Sequence, residues 1–299
     1  MDLKAFEKYD LELRYGENPH EKAWIYGRPS FEVLHEGRQI SFNNILDADS
    51  AWVVTRNLKL CGDYGAVVVK HQSVCGAAVS DNPADAIVKA IRADDESSFG
   101  GVLAVNFEMD GTVAKSFKKY LEVIVAPSFT KAAVEHFSKK KVRLLKAEGY
   151  TPLVVRGAFG SILVSERMLP DLEFEKVAGP EVDEQVLNDL RFAYTVVEGV
   201  KSNAVLVAKE GVTVGIGAGQ PSRKRAAWIA VSLAGEKAKG AVAASDAFFP
   251  FPDGLEVLAG AGVKAVVAPL GSKNDNEVLK RAEELGIAFY KATSRVFRH

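Results

Sequence analysis

The sequence predicts an α/β protein of two lobes that repeat one pattern of elements. Short apolar runs rich in β-branched residues recur along the chain, as at Ala66–Val69 and Val212–Ile216, and such runs bounded by glycine or charge read as buried strands. Each is followed by a small-residue loop and then by apolar residues at helical spacing. With 47% hydrophobic residues among 299, the chain holds enough apolar material for two ordinary cores.

In the first half, Ala66–Val69 forms a strand flanked by Gly65 and ending at Lys70-His71, and QSVCGAA from Gln72 reads as a small-residue turn. Pro83 suits a first helical turn, and Ala84, Ile87, Val88 and Ile91 follow at helical spacing. Ser97-Ser98-Phe99-Gly100-Gly101 leads into the strand Val102–Val105. Strand, helix, glycine turn and strand in that order predict a right-handed crossover in a parallel sheet. The second half repeats it with strand Val212–Ile216, a loop to Arg223, helix Arg225–Leu233, then Lys239-Gly240 and strand Ala241–Ala244. A helix from Asp253, a strand Val263–Ala268, a helix Asp275–Leu285 and a strand Ile287–Tyr290 complete it. The polar stretch MLPDLEFEKVAGPEVDEQ carries two prolines and no sustained period, so it reads as a connection. We place the boundary near Phe174, giving lobes 1–174 and 175–299. Ser138 to Lys141 reads as a solvated helix end.

Several function classes are excluded. A formal charge of −1, from 38 basic and 39 acidic residues, provides no global field for nucleic acid or an anionic membrane. The two cysteines, Cys61 and Cys75, form no CxxC pair, which argues against a disulfide framework or structural zinc and fits a reducing cytoplasm. No segment approaches the ~20 apolar residues of a membrane span. Gly215-Ile216-Gly217-Ala218-Gly219 lacks GxGxxG spacing, so a dinucleotide site is rejected. His71 is followed by Gln72-Ser73 rather than by the x-Glu and downstream PCxxC of zinc deaminases, so metal-assisted deamination is not expected.

Four clusters could carry chemistry. Lys70-His71 sets a near-neutral base beside a cation, although strands commonly end in charge. Ser245 to Asp253, SDAFFPFPD, would form a rigid aromatic wall for a flat heterocycle, or equally a hydrophobic plug beneath a loop. Arg14-Tyr15 and Arg223-Lys224-Arg225 offer guanidinium forks suited to phosphate or carboxylate, against the plain alternative of solvated arginines.

Together these clusters resemble one family nearly end to end: the transformylase half of the bifunctional purine-synthesis enzymes that also carry IMP cyclohydrolase. The matching stretches are LRYGENPH at Leu13, Lys70-His71, SSFGG at Ser97, EVIVAPSF at Glu122, KSNAV at Lys201, VGIGAGQPSR at Val214, SDAFFPFPD at Ser245 and the terminal SRVFRH. The resemblance implies two tandem cytidine-deaminase-like α/β lobes, a cytoplasmic homodimer with shared active sites, and metal-free formyl transfer from 10-formyltetrahydrofolate to the 5-amino group of aminoimidazole carboxamide ribotide (AICAR). It implies His71 as proton acceptor and Lys70 as transition-state cation. Arg14, Tyr15, Gly100, Glu122, Asn203, Arg223, Phe248 and Arg295 fall on the ribotide site, and Lys224, Asp253, Ser272 and Lys273 on the folate site.

Three departures accompany it. Val74 stands where the family has proline, which predicts a looser loop behind His71. The cyclohydrolase half has no counterpart, which implies a separate IMP cyclohydrolase. The stretch from Lys141 to Lys201 is short. A different formyl donor, such as a modified pterin, and a ribotide-binding regulatory protein without turnover remain the alternative readings, and a scaffold has little support because scaffolding needs no ordered set of pocket residues.

Overall fold

A computed structural model describes residues 7–149 and 153–299. After a small ribbon of β1 (Lys8–Tyr9) and β2 (Ile25–Tyr26) come β3 (Phe31–Glu36), α1 (Phe42–Asn57), β4 (Tyr64–Lys70), β5 (Ser73–Ser80), α2 (Pro83–Ala93), β6 (Val102–Val105), α3 (Gly111–Lys115), β7 (Val123–Ala126), α4 (Lys131–Phe137) and β8 (Arg143–Ala147). A hairpin of β9 (Leu153–Ala158) and β10 (Ser161–Glu166) follows. Then come β11 (Glu175–Ala178), α5 (Glu184–Val197), β12 (Val205–Lys209), β13 (Val212–Gly217), α6 (Arg223–Ala234), β14 (Val242–Ser245), α7 (Asp253–Gly260), β15 (Ala265–Pro269), α8 (Asp275–Leu285) and β16 (Ala288–Ala292).

Twelve strands form one mixed sheet in the order β11-β16-β15-β14-β12-β13-β5-β4-β6-β7-β8-β3. From either end towards the β13–β5 junction, the same sequence of elements is met. Both faces are covered, so the central strands are buried along their length, as in Ala66 to Val69. Against one face α1 and α5 share a single core, in which Val54, Leu58, Leu190 and Val197 meet Val67, Val69, Leu206 and Val267. On the other face Ile87, Phe117 and Phe137 of the α2–α4 side form one core and Leu255, Leu258 and Val278 of the α6–α8 side form another.

The expected crossover from β4 to β6 is corrected, because these strands are antiparallel. QSVCGAA is not a turn: only His71 and Gln72 turn, and Ser73–Ser80 is strand β5, antiparallel to β4. The crossover through α2 therefore joins β5 to β6, which run parallel with β4 between them. Small residues were misleading here because they serve packing, since a Cβ on Gly76 would strike the carbonyl of Ala90 in α2. In the second half β12 likewise pairs antiparallel with both β13 and β14, and α6 leads from β13 to β14. The polar connection at 168–185 also contains a strand, β11, paired at the sheet edge with β16. The lysines at 139–141 are exposed beyond α4, as expected.

The Gly215-Ile216-Gly217 run now has a physical reason. A Cβ on Gly217 would overlap the Ala226 carbonyl, and one on Gly215 the Ala230 carbonyl, so these glycines let α6 lie directly on β13. Gly217→Ala is expected to cost about 2–3 kcal/mol through overpacking, read as a lowered urea midpoint. Gly260→Ala in α7, where the added atom meets open space, is expected to be neutral or stabilising by up to about 1 kcal/mol.

Candidate active site

Every site residue expected from the sequence lies along one edge of the sheet. Val69 is opposite Val102 and Val102 opposite Val123, so Lys70, at the end of β4, sits beside Gly100 and Glu122, which precede β6 and β7. Val205 is opposite both Gly217 and Ser245, so Asn203, the loop after β13 and Phe248 share that edge. β15 and β16 end there as well, delivering Ser272, Lys273 and Arg295. Candidate residues follow the carboxyl ends of β4, β14, β15 and β16, where ligands commonly gather in open α/β sheets. Gly100, Glu122 and Asn203, however, come from the amino ends of β6, β7 and β12.

Lys70 and Ser73 pair across the two-residue turn formed by His71 and Gln72, whose φ values of 54° and 60° are left-handed. The Asp47 carboxylate of α1 holds this turn, accepting His71 N–H at 3.2 Å and Gln72 N–H at 2.7 Å. Burial raises the Asp47 carboxyl above its ordinary pKa, while those two N–H groups oppose the rise. The His71 side chain is exposed, and Lys70 Nζ donates to Phe99 O at 2.9 Å. Gly100 follows with φ 74°, and its N–H donates to Tyr120 O. Val74 N–H donates to Gly199 O at 3.2 Å, a bond that proline could not make.

Around the start of α1, the Ser41 hydroxyl accepts Asn44 N–H and the Asn44 side chain accepts Ser41 N–H, a reciprocal cap. Asn44 Nδ2 then donates to Glu122 Oε2 at 2.8 Å. Glu122 also lies 3.6 Å from Arg143, a buried guanidinium spent on Arg38 O and Gln39 O. Arg14 is exposed and rests over the Tyr15 ring, 5.2 Å from its centroid. Asn44, Asp47 and Arg143 were missed by sequence reading, and only the Ser41-to-Asn44 cap spacing offered a signal.

In the second half Arg223 is buried at the start of α6. Its Nη1 donates to Ser245 Oγ at 2.8 Å and to Asp246 Oδ1, and its Nη2 to Asn203 Oδ1 at 2.6 Å. This guanidinium shapes the site wall by holding Asn203 and Asp246. A cleft of about 340 Å³ opens beside it, lined by Asn203, Arg223, Lys224, Phe248, Phe251 and Asp253 among others. Lys224 and Asp253 lie 3.9 Å apart, and the loop of Ser272 and Lys273 is tied to this segment by Asn274 Nδ2, which donates to Pro250 O at 2.8 Å. Arg295 stacks on Phe297, 5.0 Å from the ring centroid, and Phe297 closes the cleft. Among the described residues, no group of three or more His, Cys, Asp or Glu side chains is placed to hold a metal ion.

The two groups of residues are far apart in one chain. Between Lys70 and Asn203 lie three inter-strand spacings, roughly 14 Å. Between Glu122 and Phe248 lie six, roughly 29 Å.

A family model described as "AICARFT/IMPCHase bienzyme" matches residues 2–233. The chain belongs to the AICARFT/IMPCHase bienzyme family. It is 69% identical over 295 residues to the bifunctional purine biosynthesis protein PurH of Thermotoga maritima, a match covering 99% of this chain and 65% of that protein. It is 44% identical over 309 residues to the protein of the same name from Corynebacterium glutamicum, covering 96% of this chain and 58% of the relative. The chain thus spans less than two thirds of these family members. A solved chain titled Acinetobacter baumannii RibD, form 2, overlaps 32% of this chain and 31% of its own at 24% identity and a TM-score of 0.24, too little to inform the fold.

Beneath the carboxyl-terminal segment lies Glu198, bonded by Asn57 Nδ2 at 3.0 Å, in the wall of a cavity of about 520 Å³ that also touches Arg156, Arg167, Arg295 and Arg298. Burial pushes its carboxyl up to about 7, against the Asn57 bond and the nearby Arg167 and Arg298 charges. A folded pKa above the unfolded value means that the stability contribution is complete below about pH 4.5 and is lost as pH rises through about 7. Glu198→Gln is therefore expected to stabilise the protein by roughly 3 kcal/mol at pH 8 and hardly at all at pH 4.5, measured by urea unfolding at both values.

Proposed function

We propose that this chain is an AICAR formyltransferase, carrying the formyl group of 10-formyltetrahydrofolate to the 5-amino group of AICAR in purine synthesis. The observation that carries the reading is the Lys70-His71 pair, presented on a pinned turn at the same sheet edge as a cleft of cationic and aromatic residues, in a member of this family. The amine of AICAR is conjugated and weakly nucleophilic, so attack needs its proton removed. His71, exposed at the turn, accepts that proton as the nitrogen bonds to the formyl carbon. The carbonyl electron pair moves to oxygen, giving an oxyanion beside Lys70. An ammonium has three donors, and among the described residues one of those at Lys70 is taken by Phe99 O, leaving two for charge that develops in the transition state. Collapse expels the folate nitrogen, which takes a proton, and yields formamido ribotide and tetrahydrofolate.

Exposed Arg14 and Arg295 suit the ribotide phosphate, Phe248 the imidazole plane, and Tyr15, Gly100, Glu122, Asn203 and Arg223 the shape and polarity of its surroundings. Lys224, Asp253, Ser272 and Lys273, gathered around the Phe248 end of the cleft, suit the folate. The chemistry uses no metal. A mononucleotide is too short to span the separation between Glu122 and Phe248, which supports a homodimer in which each site draws one residue group from each copy. The repeated element order on either side of the β13–β5 junction supports two cytidine-deaminase-like lobes, 1–174 and 175–299, arisen by duplication. We assign the protein to the cytoplasm.

Purified protein with AICAR and 10-formyltetrahydrofolate, without added metal, is expected to form the formamido product. His71→Ala should lose about 10²–10⁴ of the rate while still binding ribotide in a calorimetric titration. A wild type that binds ribotide but transfers formyl from neither this folate nor a modified pterin would sink the enzyme assignment, and transfer from the pterin alone would replace the donor.

A further inference from the structure

His71 and Gln72 are consecutive residues in the left-handed region, where side chains other than glycine and asparagine are strained. A two-residue hairpin turn of this kind ordinarily uses Asn-Gly or Asp-Gly. His-Gln therefore does not prefer the geometry that the strand end adopts, and an outside contact must impose it. Asp47, half-buried in α1, provides that contact by accepting both turn N–H groups.

The same device occurs at the opposite sheet edge. There Glu210 and Gly211 turn with φ values of 53° and 68°, and the Asp189 carboxylate accepts both N–H groups at 2.9 and 2.8 Å. Asp189 stands five residues after Glu184, the first residue of α5, as Asp47 stands five after Phe42, the first of α1. The neighbouring lysines match too: Lys209 Nζ donates to Lys239 O at 3.0 Å, as Lys70 does to Phe99 O. The clamp is thus a turn-setting device used twice, and only one copy of it aims a histidine.

We infer that Asp47 is a positioning residue for formyl transfer, fixing through the backbone of His71 and Gln72 the direction in which Lys70 and His71 face the reacting atoms. The inference rests on the formyltransferase reading for the roles of those two side chains. Asp189 provides the internal control, since it holds an equivalent turn that bears no candidate catalytic residue.

The test compares Asp47→Asn, Asp189→Asn and Asp47→Asn/Gln72→Gly by amide hydrogen exchange, urea unfolding and steady-state kinetics. Each Asn variant should lose protection at its own turn and a similar amount of stability. Only Asp47→Asn should lower kcat, by about 10²-fold as for a small misplacement of reacting groups, with the KM for ribotide within about threefold. Gln72→Gly relieves the left-handed penalty without restoring the charge, so it should recover at least about fivefold of the lost kcat. An Asp47→Asn enzyme with kcat within threefold of wild type, an equal kcat loss in Asp189→Asn, or no recovery in the double variant would overturn the inference. A wild type that never transfers formyl sinks the formyltransferase reading instead. Amide protection at His71 and Gln72 then still decides the clamp, and protection retained in Asp47→Asn refutes it.

Discussion

Strand β13 meets β5 with Val212 opposite Ala78, and the buried Thr213 hydroxyl extends the ladder by accepting Ala77 N–H at 3.0 Å and donating to Ala77 O at 3.3 Å. Val79 N–H adds a bond to Gly211 O. These few bonds join two hairpins antiparallel and make one sheet of two halves. Because the halves run in opposite senses, equivalent loops point to opposite edges. The candidate edge consequently combines the Lys70-His71 turn and the amino ends of β6 and β7 with the carboxyl ends of β14, β15 and β16. Neither half alone presents both a base-and-cation pair and an aromatic cleft. The common α1–α5 core holds the arrangement rigid from one side.

Much of this was legible in the residues, and the failures have identifiable causes. Strands β4, β6, β13, β14, β15 and β16 and helices α2, α6, α7 and α8 were visible because apolar runs and helical spacing were bounded by Gly, Pro or charge. β5 was hidden because its small residues, read as a turn, are required by the close approach of α2. β12 was hidden because its Lys-Ser-Asn lead-in suggests a loop. α1 escaped because it buries Asn44, Ser50, Thr55 and Asn57, which blurs the apolar stripe that marks an amphipathic helix.

At the site, residue chemistry was readable and residue use was not. Lys70 and His71 stand together at a strand end as expected. Arg223 looked like a surface anion contact, yet its terminal nitrogens are engaged by Asn203, Ser245 and Asp246 within the wall. Asp47 carried no signal at all, because its partners are main-chain N–H groups that no side-chain pattern records. The turn is held from across the fold by Asp47 of α1, rather than by its own residue types.

The proposed sharing of each site between two copies is tested most directly by mixing equal amounts of His71→Ala and Asn203→Ala, each first shown to be inactive alone, under conditions that exchange subunits. If each site takes His71 from one copy and Asn203 from the other, half of the dimers formed are hybrids with one intact site, and activity should recover to about a quarter of the wild-type value. If both residues act within a single chain, every hybrid site lacks one of them. A mixture that forms hybrids yet stays inactive would contradict the shared site.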